Sequence, residues 1–161
     1  MTPRSVLQEF KHNWTPDTYT RLTLARDSRG IRIDPNHPDA VRTCFVGNLC
    51  KIGDMAQFRY AHPTTAVEKA LSETYNLVQR KIRELGLPGT TSRSYMTVEG
   101  VNDMDNGYEV LMGIIDELLV EMAKEDLAEN RRKQAVTPQT SKQVKMAYEQ
   151  QNYIMSYSSK G

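Results

Sequence analysis

Residues 65–88, TAVEKALSETYNLVQRKIRELGLP, decide the fold class. Thr65 and Glu68 form a Thr-x-x-Glu capping box, in which the threonine hydroxyl takes an orphan N–H of the first helical turn. Val67, Ala70, Leu71, Leu77, Val78, Ile82 and Leu85 then recur at helical spacing, and Gly86 with Pro88 stops the helix. A helix with so broad an apolar face has to bury it against other elements. Downstream the pattern returns: Val110, Leu111, Ile114, Ile115, Leu118, Leu119 and Met122 come in pairs every four residues behind an Asn106-x-x-Glu109 box. That spacing predicts a core helix over 107–129.

Working back toward the N-terminus, Val6, Leu7 and Phe10 behind Pro3 predict a short helix over 3–12. Thr15-Pro16-Asp17 reads as the start of a second, reaching Ala25. Asp27-Ser28-Arg29-Gly30 is a turn, and Ile31-Arg32-Ile33 alternates as an extended segment does. Pro38-Asp39 followed by Val41, Cys44, Phe45, Leu49 and Ile52 predicts a third helix closed by Gly53, while Tyr95–Val98 leans toward an extended piece. The expected architecture is therefore mainly α, a compact bundle of about five helices with one or two short extended segments.

A chain of 161 residues is long enough for one domain with a core of its own. Hydrophobic residues are 39% and charged residues 25%, and no apolar run reaches the roughly 20 residues of a membrane span. Met1–Ser5 lacks the apolar segment of a secretory signal, so the expectation is a soluble, cytoplasmic protein with no membrane partner. Residues 1–129 carry 15 Lys and Arg against 19 Asp and Glu, whereas residues 130–161 carry six against Glu149 alone. The expected division is a mildly acidic helical domain over 1–129 and a basic, tyrosine-containing arm or weak helix over 130–161.

Leu24–Gly30, Asp34-Pro35, Pro38–Leu49, Val101-Asn102-Asp103, Glu109-Val110-Leu111 and Ile115-Asp116 resemble, in order and spacing, a small function-unassigned family of bacterial and bacteriophage proteins. The resemblance spans about residues 20–120. Thr43, Asn48 and Val101 depart from the family, which prefers Trp, Ala and Trp at those places. It implies a mostly helical bacterial or phage accessory protein and attaches no chemistry to it.

No reaction-specific motif stands out. Cys44 and Cys50 are six apart, which fits neither a redox pair nor a zinc knuckle, and His12, His37 and His62 are isolated. No metal and no cofactor are implied. A thiol hydrolase would need Cys44 as nucleophile, His62 as base and Asn102 or Asp103 to orient it. Cys44 would then sit two turns inside the predicted third helix, on its apolar face, where an inert buried thiol is the expectation. Asn102–Asn106 has the oxygen-rich start of a calcium loop, but Gly113 stands where a bidentate Glu is required, and helix capping accounts for these residues more simply.

The leading expectation is a non-enzymatic binding protein, most concretely a phage-type accessory protein that docks on and inhibits a host protein, such as one of a defence system. Its contacts are expected from the tail: Arg131, Arg132, Lys133, Lys142, Lys145, Tyr148, Tyr153 and Tyr157, cations beside aromatic anchors. The same mixture of cations and stacking groups suits single-stranded nucleic acid, which is the alternative.

Overall fold

The structure is a computed structural model and describes residues 1–89, 95–135, 145–146 and 149–150. Among these the fold is mainly α, with five helices and one two-stranded sheet. Residues Met1–Met122 form one compact unit, and a second begins at Ala123.

Helix α1, Pro3–Asn13, starts as its sequence dictates. Thr2 is the N-cap, its hydroxyl accepts the Ser5 N–H, and Pro3 occupies a first-turn position that needs no N–H partner. Val6, Leu7 and Phe10 are buried. Trp14 follows at the C-cap, fully enclosed, and donates its indole N–H to the Thr43 carbonyl at 3.0 Å. Phe10 stacks on Phe45 at 4.5 Å, and Trp14 meets Tyr108 at 5.1 Å. This aromatic cluster ties both ends of the unit together, each buried ring contributing roughly 1.5–3 kcal/mol.

The second expected helix does not form. A single 3-10 turn, Pro16–Thr18, takes its place. Beyond it, Leu22 is in the left-handed region with φ 63°, a conformation that an α-helix does not contain. The backbone of this segment finds its partners far along the chain: Thr20 N–H donates to the Thr43 carbonyl, and Cys44 N–H to that of Leu24. Strand β1, Ala25–Arg26, pairs antiparallel with β2, Arg42–Thr43, and Arg26 also bridges to Arg32. The expected turn between them is present, with Gly30 at φ 80° and Asp27 Oδ1 accepting the N–H groups of Arg29 and Ile31. The extended segment around Arg32 is likewise as expected.

Helix α2 is Phe45–Ile52, seven residues shorter at its start than the sequence predicts. Pro38 and Asp39 belong to a turn in which Ala40 N–H donates to His37, Arg42–Thr43 is strand, and Val41 is exposed where a buried position was expected. Cys44 is therefore the N-cap and not an interior residue. Gly47 lets α2 lie against the preceding segment, since a Cβ there would stand 1.8 Å from the Leu24 carbonyl oxygen.

Helix α3, Ala66–Glu84, starts as expected, with the Thr65 hydroxyl accepting the Glu68 N–H, but Leu85, counted in its apolar stripe, falls at the C-cap and is exposed. Tyr95 bridges to Pro88, but Val98 opens a short helix, α4 (Val98–Asn102), so the extended piece is shorter than predicted. Helix α5 is Gly107–Ala135, longer than expected. Leu111, Ile114, Ile115 and Leu118 enter the core, which α1, α2, α3 and α4 complete. Lys81 of α3 ion-pairs with Glu121 of α5, and this hydrogen bond raises its pKa above the usual lysine range. No residue from Ala123 to Ala135 is buried, and no described helix is long and apolar enough to cross a membrane.

Candidate functional site

The residues of the thiol-hydrolase reading separate into two groups. Cys44, Asn102 and Asp103 line one cavity of about 300 Å³, together with Leu22, Leu24 and Glu99, whereas His62 is exposed in the segment before α3 and does not line it. Cys44 Sγ accepts the Gly47 N–H at 3.2 Å. A helix N-terminus ordinarily lowers a thiol pKa, but burial dominates here and pushes it up to about 11. At neutral pH Cys44 is a protonated cap. Cys50 is also buried, and its pKa is raised to about 12.

Asn102 and Asp103 act as cross-braces. The Asn102 side-chain oxygen accepts the Phe45 N–H at 2.9 Å, and its amide donates to the Thr20 carbonyl at 3.1 Å and to Asp103. Asp103 in turn accepts the Leu22 N–H at 2.9 Å. The capping reading of these residues holds for Asn102, which takes an orphan N–H of α2, far from it in sequence. Arg21 donates to the Asp103 carbonyl and pairs with Asp105 at 3.2 Å. The result is a rigidly held loop that presents Leu22, 69% exposed.

One strand over lies a second feature. Arg42 is paired with Arg26 and Arg26 with Arg32, both antiparallel, so three arginines stand side by side on one face of the small sheet. Arg26 is half-buried and held by the Thr20 hydroxyl and the Gly30 carbonyl, whereas Arg32 and Arg42 are exposed. Among the described residues none of the three has a carboxylate partner, in contrast to Arg21, Arg29 and Arg80. A larger cavity, about 750 Å³, opens between α1 and the Val41–Ile52 segment. Asn48 lines it, with its buried side-chain nitrogen lacking a hydrogen-bond partner among the described residues.

Of the tail residues expected to bind a partner, Arg131, Arg132 and Lys133 are exposed near the end of α5, with Lys133 paired to Glu129 at 3.0 Å. Lys145 is also exposed. Lys142, Tyr148, Tyr153 and Tyr157 lie outside the described residues. Sequence reasoning missed Leu22, Arg26, Arg32 and Arg42. The alternation Ile31-Arg32-Ile33 was the one available signal, and it marks a strand without naming its neighbours.

Comparison of the chain with protein-family models, with curated proteins and with solved structures finds no match in any of the three.

Proposed function

We propose that this chain is a non-enzymatic binding protein, a helical body that docks on a protein partner and alters its activity. Leu22 is the observation that carries the reading. A leucine with φ 63° costs roughly 1–2 kcal/mol relative to ordinary backbone, and at 69% exposure it recovers little of that by burial. Strained backbone of this kind collects at recognition and switch sites. The braces from Arg21, Asp103 and Asn102 hold the loop in place, so an apolar knob is presented at low further entropy cost on binding.

The phage-type version, inhibition of a host protein, draws its support from the resemblance over residues 20–120. The basic residues of the tail, Arg131, Arg132, Lys133 and Lys145, add charge to the contact in this reading. Their exposure also favours a second reading, nucleic-acid binding, in which affinity falls steeply with salt.

Leu22→Gly separates a recognition role from a structural one. Glycine adopts positive φ freely, so the melting temperature of the variant should hold or rise, while the protein co-purifying with the tagged full chain from its native cell should be lost. Unchanged capture by Leu22→Gly would contradict the proposal. So would capture of nucleic acid with no accompanying protein.

A further inference from the structure

We infer that the row Arg32, Arg26 and Arg42 is the seat of an acidic α-helix of the partner. The inference rests on the protein-binding reading above and adds the chemistry of what is bound. Neighbouring strands lie about 4.8 Å apart, so the three side chains are rooted over about 10 Å of one sheet face. Carboxylates at positions i, i+4 and i+7 of a helix cover about the same length, since each residue rises 1.5 Å and neighbours on one face are 5–6 Å apart. Three arginines with no carboxylate partner among the described residues repel one another, and an acidic partner relieves that repulsion, accepting the forked N–H groups of exposed Arg32 and Arg42 while Arg26, held by Thr20 and Gly30, adds its charge between them.

The alternative polyanion, a nucleic acid, fits less well. Residues 1–129 carry four more acidic than basic groups, and Asp27, Asp34 and Asp39 lie in the same stretch of chain as the row. Such a body repels an extended phosphate chain but tolerates a short acidic helix matched to three positions.

The test uses the full chain and three probes at low ionic strength: a helical peptide with Glu at i, i+4 and i+7, the same peptide with Gln, and a single-stranded DNA oligonucleotide. NMR titration should show the Glu peptide binding about tenfold tighter than the Gln peptide, with the shifts centred on residues 26, 32 and 42. Arg32→Glu combined with Arg42→Glu should abolish that preference, and a peptide with Lys at the three positions should restore binding to the double variant, which mere unfolding would not produce. Equal binding of the Glu and Gln peptides, no binding of either, or tighter binding of the DNA would overturn the inference. If Leu22→Gly loses the captured protein while the double arginine variant keeps it, the docking reading stands and this inference fails.

Discussion

Cys44 shows how one position can invert the chemistry its surroundings suggest. It occupies the N-cap of α2, where the helix dipole and the Gly47 N–H both favour a thiolate, yet burial outweighs them and raises its pKa from 9.0 to about 11. Cys50 follows for the same reason, to about 12. In the unfolded chain both thiols ionise near 9, so above that pH the unfolded state has lost protons that the folded state still holds, and stability falls as pH rises. The melting temperature should be flat from pH 6 to about 8 and decline from about 9 toward 12, and Cys44→Ala with Cys50→Ala should delay and lessen the decline, the remainder coming from Tyr75 and Lys81, whose pKa values are also raised. Iodoacetamide at pH 8 should label neither thiol until denaturant is added. Labelling of the native protein at the rate of a free thiol would contradict this account of Cys44.

At the scale of elements, Asn102 joins two helices and the loop before β1 with one side chain: it accepts from the first N–H of α2, donates to the carbonyl of Thr20, and sits at the last residue of α4. Asn102→Ala leaves a buried N–H and a carbonyl without partners, which should cost about 3 kcal/mol in urea unfolding. A loss under about 1 kcal/mol would show that these groups find other partners. The same residue explains what the sequence could and could not disclose. Helices α1, α3 and the core part of α5 were legible because their apolar stripes, with Pro3 in α1 and the Thr65 cap in α3, are local patterns. Between Thr15 and Cys44 the turn at Asp27–Gly30 and the extended Ile31–Ile33 were legible, but the rest was not, because its strands are two residues long and its backbone groups pair with residues about 20 positions away. A proline and an acidic residue after a threonine promise a helix only until long-range pairing offers those N–H groups something else. Placing Cys44 inside a helix was the cost of that omission, and the arginine row, which exists only through strand register, was invisible for the same reason.

Across the whole molecule, side chains are enclosed within Met1–Met122, and the residues of α5 from Ala123 onward are not buried. The sequence drew attention to the far end of the chain because its charge differs from the rest. The body offers a more defined candidate, a stretch of about 25 residues that combines a braced, strained leucine with three arginines that have no carboxylate partner among the described residues. Hydrogen–deuterium exchange of the full chain, alone and with the captured partner, compares the two directly. The account predicts slowed exchange over residues 20–43 when the partner is present. Protection confined to residues after Ala123, with 20–43 unchanged, would contradict it.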